Sequence, residues 1–120
     1  MKTIVIVDDF ENTQKVVENS LKTIEHQSLF ANNGEEALKF FDGRKIDLLI
    51  TDLNMPVMNG IELVKKVRDM VRYAQIPILM LTTEQNAEKR QLAQEAKVTS
   101  LVQKPFNIQQ FIKIVEKCLR

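Results

Sequence analysis

The sequence is poor in the residues that build disulfide-rich, fibrous and flexible proteins. It has one cysteine, Cys118, no tryptophan, and only three glycines and three prolines among 120 residues. A single cysteine excludes an internal disulfide, which fits a reducing compartment. So little glycine and proline excludes a collagen-like or linker-rich chain, and no segment is of low complexity.

Long hydrophobic runs and a strong net charge are also absent. The apolar stretch that follows Lys2 and Thr3 spans only about five residues, too short for the core of a signal peptide or for a membrane span. The net charge of +1 gives no general attraction to nucleic acid or to anionic lipid. With 44% hydrophobic and 28% charged residues, the composition is typical of a globular protein. We therefore expect one cytoplasmic domain over residues 1–120, which binds neither nucleic acid nor membranes directly.

The chain is organised around residues 46–60. The apolar run Leu48-Leu49-Ile50 predicts a strand buried on both faces, and the run ends just before Asp52. Pro56 and the Asn59-Gly60 pair then interrupt regular structure until the next helix. Asp52 thus stands where a buried strand meets a loop. A carboxylate in that position needs a partner because it is poorly solvated.

The apolar pattern predicts five strands that alternate with five helices. The predicted strands are residues 4–7, 26–31, 48–50, 78–81 and 100–103. The predicted helices are residues 10–24, 35–41, 61–71, 85–96 and 108–119. Alternation with short loops predicts an α/β fold, a doubly wound five-stranded parallel sheet with helices on both faces. We adopt the strand order 2-1-3-4-5, which is common for five strands.

The predicted helices differ in how much apolar surface they can bury. The first is expected to bury Thr13, Val16, Val17, Leu21 and Ile24, and the last Ile108, Phe111, Ile112, Val115 and Leu119. The fourth has only Ala87, Leu92, Ala93 and Ala96 on its apolar face. We expect this fourth helix to be weakly anchored and mobile, because little burial holds it.

Polar side chains stand at the ends of four predicted strands. Asp8 and Asp9 follow the first strand, Asp52 the third, Thr82 the fourth and Lys104 the fifth. Sheets of this kind bind ligands outside the carboxyl ends of their strands. Because neighbouring strands lie about 4.8 Å apart, the three carboxylates converge, and Lys104 starts roughly 10 Å from Asp52. Only a long side chain covers that gap.

Three carboxylates in one crevice repel each other, and one lysine cannot neutralise them. A hard divalent cation can, and Mg²⁺ suits one or two carboxylates together with water and phosphate oxygens. Such a metal beside a carboxylate, a hydroxyl and an ammonium group is typical of phosphoryl transfer. Asp52 is flanked on both sides, so it is the candidate nucleophile that would form an aspartyl-phosphate.

Five motifs in order resemble the receiver domain of two-component response regulators. They are Val7-Asp8-Asp9-Phe10, Thr51-Asp52-Leu53-Asn54-Met55-Pro56, Asn59-Gly60, Leu81-Thr82-Thr83-Glu84 and Lys104-Pro105-Phe106. Each motif alone is weak, but five in order over essentially the whole chain are specific. The resemblance implies a flavodoxin-like, CheY-like fold with the same strand order.

The resemblance also implies roles for individual residues. Asp52 would accept phosphate from a sensor histidine kinase, and Asp8, Asp9 and the backbone carbonyl of Asn54 would help Asp52 bind Mg²⁺. Thr82 and Lys104 would hold the phosphoryl oxygens, and Lys104-Pro105 would be a cis peptide. The protein would then be no enzyme in the ordinary sense, because it would catalyse only its own phosphoryl transfer and dephosphorylation.

The resemblance is closest to single-domain regulators of the chemotaxis type, which act through protein contacts. The chain reaches Arg120 directly after the fifth predicted helix, so we expect a monomer with a protein partner on the face of helix four, strand five and helix five. Two departures bear on this output. Leu101 replaces the aromatic residue that receiver domains usually carry three places before the lysine, and Ala96-Lys97-Val98 lacks a glycine that many have there.

Other functions remain open at this point. A phosphorelay intermediate or phosphate sink would use the same acceptor, and a small phosphatase with an Asp nucleophile is the enzyme alternative. A flavodoxin-like cofactor binder is rejected, because the acidic loop after the first strand would repel a phosphate. His26 is expected to be a surface or boundary residue near no acidic cluster, Cys118 to be half-buried and inert, and Asn33-Gly34 and Asn59-Gly60 to be turns.

Overall fold

The computed structural model describes all 120 residues and contains the predicted sheet. Five parallel strands lie in the order β2-β1-β3-β4-β5. The strands are β1 (Lys2–Val7), β2 (His26–Ala31), β3 (Leu48–Thr51), β4 (Ile78–Thr82) and β5 (Ser100–Gln103). The helices are α1 (Glu11–Ser20), α2 (Gly34–Leu38), α3 (Gly60–Asp69), α4 (Ala87–Glu95) and α5 (Ile108–Cys118). A short 3-10 helix, Val71–Tyr73, follows α3.

The apolar strands separate two hydrophobic cores, one on each face of the sheet. Alternate residues of a strand point to opposite faces, so Val5 and Leu49 pack with α2, α3 and α4, while Ile4 and Ile50 pack with α1 and α5. Every residue of β3 and β4 is buried. The continuous apolar runs of these central strands therefore reflect burial on both faces, as predicted.

Two Asn-Gly pairs begin helices and do not form the simple turns predicted from the sequence. The side chain of Asn33 accepts a hydrogen bond from the amide of Glu36 at the start of α2. Asn59 does the same for Glu62, whose carboxylate accepts from the Asn59 amide in return. The second arrangement is a capping box, which satisfies two amides that the first turn of a helix leaves free.

The helix predictions were right in place but wrong at their edges. α1 ends at Ser20, and the chain continues to Ile24 through tighter i→i+3 hydrogen bonds. The helical spacing of apolar residues therefore extends beyond the end of the helix itself. Val16 and Ile108 were predicted to be buried, but they are 51% and 54% exposed at the rim between α1 and α5. In α4 only Ala93 is buried, and Leu92 is exposed, which confirms that little burial holds this helix.

His26 lies in a boundary position, as predicted, but its contacts were not predicted. Its side chain is only 6% exposed, and its two ring nitrogens lie 2.6 Å from the carboxylate of Glu18 and from the carbonyl of Ile24. Glu18 stands on α1, eight residues earlier in the chain. The end of α1 brings this carboxylate to the start of β2, which the linear spacing did not reveal. None of the helices combines the length and the apolar character needed to traverse a bilayer.

Candidate functional site

Three carboxylates converge at the carboxyl edge of the sheet, as the strand-end pattern predicts. One oxygen from each of Asp8, Asp9 and Asp52 lies within 4.8 Å of the others. The backbone places them there, because the amide of Asp8 bonds to the carbonyl of Ala31 and the amide of Asp52 to that of Val7. The parallel ladder therefore continues past the strand ends and fixes where both loops begin.

Each side-chain oxygen of Asp8 has one partner. It is 3% exposed, its Oδ1 accepts from the amide of Phe10 at 3.0 Å, and its Oδ2 lies 2.9 Å from the ammonium of Lys104. Lys104 also lies 3.6 Å from Asp52. The lysine thus crosses the site as its length predicts, and it reaches one strand beyond Asp52.

Asp9 is the carboxylate without a partner. Its Oδ1 is buried and makes no hydrogen bond. A buried carboxylate oxygen without a donor is costly, and the Asp9 carboxylate also lies beside two others. A bound cation would satisfy this oxygen and at the same time offset the charge of the three carboxylates. A hard divalent ion that prefers oxygen ligands fits this donor set.

Asp52 is held by the first residues of its own loop. Its Oδ1 accepts from the amide of Leu53 at 2.6 Å, and its side chain remains 12% exposed. Gly60 packs directly behind it, because a Cβ on Gly60 would lie 2.0 Å from the Asp52 carbonyl oxygen. The amide of Gly60 also donates to the carbonyl of Leu53 at 2.8 Å. The start of α3 therefore braces the loop that carries Asp52.

Thr82 and Asn54 connect the site to α4 through Glu84. Thr82 is fully buried, and its hydroxyl oxygen accepts from the Glu84 amide at 3.1 Å. The Glu84 carboxylate accepts from the side chain of Asn54 and from the amide of Asn86, the residue before α4. The Asn54 amide, followed by Asn86 and by Lys89, lowers the pKa of Glu84 to about 2. One carboxylate thus ties the loop after Asp52 to the start of α4.

Residues 4–116 match the family model described as response regulator receiver domain. The chain belongs to this family. Its strand order, acidic cluster and crossing lysine are those that the sequence motifs predict for a receiver domain. The peptide Lys104-Pro105 is cis, as the resemblance implies.

Several known receiver domains are similar to this one. The chemotaxis protein CheY1 of Helicobacter pylori is 38% identical over 108 residues, which is 88% of this chain and 87% of the relative. The structure of the chemotaxis protein CheY4 of Vibrio cholerae superimposes with a TM-score of 0.90 at 37% identity and covers 99% of both chains. The receiver domain of a Pseudomonas aeruginosa sensor histidine kinase has the same fold, with a TM-score of 0.89 at 21% identity over 98% of this chain and 97% of that one. That domain holds a magnesium ion in its active-site cleft.

Both departures from the receiver pattern have structural consequences. Lys97 lies in the segment 96–98, which lacks the glycine of many receiver domains, and it adopts a left-handed backbone with φ of 74°. Its carbonyl accepts two hydrogen bonds from the guanidinium of Arg68, at 2.9 and 3.1 Å. Leu101 is half-buried and packs against the core beneath α4. The C-terminal end of α4 is therefore pinned by a side chain of α3, although the helix itself buries little.

The sequence reasoning missed three residues that support this receiver site. Gln14 was not singled out, yet it is buried and bonds to the loops after β1 and β2. Glu84 was noted only as part of a motif, and Gly60 only as part of a turn. For Gly60 a signal existed, because a glycine directly after a helix-capping asparagine often marks a close backbone approach. For Gln14 none did, since a polar residue in a helix favours an exposed position.

Proposed function

We propose that this receiver domain, residues 1–120, takes a phosphoryl group from a sensor histidine kinase onto Asp52. The observation that supports this is the convergence of three carboxylates with the ammonium of Lys104, which has no evident structural purpose and leaves Asp9 unpaired. Oδ2 of Asp52, which accepts no hydrogen bond, would attack phosphorus and form an O–P bond. The P–N bond to the kinase histidine would break, and the imidazole nitrogen would keep its electron pair. The protein would catalyse only this transfer and the later hydrolysis of its own acyl phosphate.

The carboxylates of Asp8, Asp9 and Asp52 and the backbone carbonyl of Asn54 would hold Mg²⁺. The bound ion would supply positive charge to the crevice and to the phosphoryl oxygens. Lys104 would pair with one phosphoryl oxygen and the Thr82 hydroxyl would donate to another. Both groups already stand at the strand ends next to the acceptor, so little reorganisation is needed when charge develops there.

The pathway we favour is of the chemotaxis type, because relatives that are 36–38% identical over most of the chain are chemotaxis proteins. The protein would act as a cytoplasmic monomer. After phosphorylation it would bind a protein partner through the face formed by α4, β5 and α5, and it would contact neither nucleic acid nor membranes. A phosphorelay intermediate or phosphate sink is the second candidate, because Leu101 replaces the usual aromatic residue on this face.

Phosphorylation should require Asp52 and a divalent metal. We expect mass spectrometry after treatment with acetyl phosphate and Mg²⁺ to show one added phosphoryl group. The adduct should disappear in Asp52→Asn, because this variant lacks the carboxylate nucleophile. It should also disappear in excess chelator, because the metal ion that offsets the negative charge of the crevice is then removed. Asp69→Asn, at the end of α3, is the matched control and should be phosphorylated normally. An undiminished adduct in Asp52→Asn would overturn the assignment, and continuous turnover of acetyl phosphate without an adduct would favour a phosphatase.

Phosphorylation should alter α4 and β5 through backbone and packing. Leucine has no hydroxyl that could exchange one hydrogen bond for another, so Leu101 can fill space vacated by Thr82 but cannot signal with a polar tip. With beryllofluoride as a phosphoryl mimic, amide chemical shifts should change chiefly from Thr83 to Val102. Leu101→Ala should loosen this region and leave phosphorylation of Asp52 intact. Shifts confined to the loops around Asp8, Asp52 and Lys104 would instead favour a relay or sink.

A further inference from the structure

The side chain of Gln14 joins the ends of two strands beside the acidic cluster. Its Nε2 lies 2.7 Å from the carbonyl of Asp8, 3.1 Å from the carbonyl of Ala31 and 3.0 Å from Oδ1 of Asn32. The residue is 7% exposed and lies in the first turn of α1, which begins at Glu11. We propose that Gln14 is a positioning residue for the metal-binding pair Asp8 and Asp9, an inference that rests on the metal site proposed above.

Three acceptors around one nitrogen fix the orientation of the Gln14 amide. An amide nitrogen has two hydrogens, so one is shared between two of these oxygens. If the amide were turned over, its own oxygen would face the backbone carbonyls of Asp8 and Ala31, which cannot donate, and both contacts would become repulsive. Gln14 can therefore hold this place only as a donor.

The consequence for the site comes from the carbonyl of Asp8, which belongs to the peptide that links Asp8 to Asp9. The Asp8 amide is held by Ala31, and the Asp8 carbonyl is held by Gln14. Both sides of Asp8 are thus fixed, and with them the plane of the following peptide. That plane sets the direction in which Asp9 leaves the backbone. The Asp9 side chain makes no hydrogen bond at Oδ1, so no contact at that atom orients the carboxylate, and the backbone must hold it near the other two.

Chemistry explains why an amide suits this position better than its isosteres. A glutamate would bring a fourth negative charge next to three oxygen atoms and close to the cluster. A methionine would fill the same space but would leave the buried Asp8 carbonyl without this donor, and an asparagine would fall one methylene short of it. Either change would let the peptide between Asp8 and Asp9 rotate, so the cost should appear in metal affinity as well as in stability.

The test compares metal affinity in folded variants, with Mn²⁺ as the probe and the signal of the free ion in electron paramagnetic resonance as the readout. We expect the dissociation constant to rise about tenfold or more in Gln14→Met and in Gln14→Asn, the range typical of losing a residue that orients metal ligands. Gln110→Met, at an exposed glutamine in the first turn of α5, is the matched control and should bind as the wild type does. Melting temperatures measured on the same samples identify the variants that remain folded, and two variants at position 14 guard against the loss of one.

The outcomes separate this inference from the proposed function. If wild-type protein does not bind Mn²⁺, the proposed metal site is wrong. If wild type binds and both Gln14 variants bind equally well, even with lowered melting temperatures, Gln14 is only a structural residue and the inference is overturned. A weaker affinity in the variants, accompanied by a shift of the Asp9 amide resonance in the metal-free state, supports it.

Discussion

Gly60→Ala should be among the most destabilising single substitutions in this protein. At an ordinary helical position, replacing glycine by alanine stabilises a helix, by roughly 1 kcal/mol. Here the new methyl group would lie 2.0 Å from the carbonyl oxygen of Asp52, and backbone cannot move aside as a side chain can. We expect the free energy of unfolding to fall by about 3 kcal/mol, since overpacking of this kind forces the backbone to shift. Thermal unfolding should show a melting temperature lowered by roughly 10 °C.

The other two glycines provide graded controls. A Cβ on Gly34 would meet the flexible side chain of Met58 at 2.9 Å and its carbonyl at 3.0 Å, so Gly34→Ala should cost less. Gly43 has open space around it but a φ of 108°, so Gly43→Ala should cost only the strain of that backbone, about 1–2 kcal/mol. Gly60→Ala should also slow phosphorylation by acetyl phosphate, because the displaced carbonyl belongs to Asp52. Equal costs at positions 43 and 60 would contradict this account of the close approach.

The sheet and the chemistry at its edge could be predicted because both follow from local pattern. Continuous apolar runs such as Leu48-Leu49-Ile50 indicate strands buried on both faces. The polar residue that follows each run therefore lies at the carboxyl edge of the sheet. The crossing of Lys104 could be predicted as well, since only a long side chain spans two strands. The nearest partner of Lys104 could not be predicted. Its ammonium lies 2.9 Å from Asp8 and 3.6 Å from Asp52, and the side-chain conformation of the lysine determines which carboxylate is nearer.

Features that depend on three-dimensional neighbours were not predictable. Helical periodicity places Val16 and Ile108 on the inner face, but it cannot tell which apolar residues lie at the rim, where both are half exposed. Gln14 is polar, so its residue type gives no sign of burial, whereas two strand ends supply acceptors for its buried amide. The contact between His26 and Glu18 likewise depends on where α1 ends. In each case the decisive group comes from an element distant in the chain.

The last large effect concerns the unpaired carboxylate. From sequence alone, repulsion between like charges predicts that Asp8→Asn or Asp52→Asn raises the melting temperature of the metal-free protein. In the structure, the expected effect differs between Asp8 and Asp9, because only Asp8 has partners. Asp8 is paired with Lys104 and with the amide of Phe10, so Asp8→Asn breaks favourable contacts. Asp9 has a buried oxygen without any partner, so Asp9→Asn removes a cost and loses no hydrogen bond at that oxygen.

Asp9→Asn should therefore raise the free energy of unfolding of the metal-free protein by an amount on the order of 1 kcal/mol. The melting temperature should rise by roughly 4 °C. Excess Mg²⁺ should reverse the order. It stabilises only a protein that binds it, by about 2.7 kcal/mol at a hundredfold excess over the dissociation constant, and Asp9→Asn should lose most of that gain. Calorimetry of both proteins with chelator and with Mg²⁺ should thus show the two melting temperatures exchange rank, while Asp8→Asn is the less stable protein in both conditions. If Asp9→Asn melts below wild type already in chelator, the Asp9 carboxylate makes a stabilising contact in solution, and its lack of a partner is not the source of strain in this site.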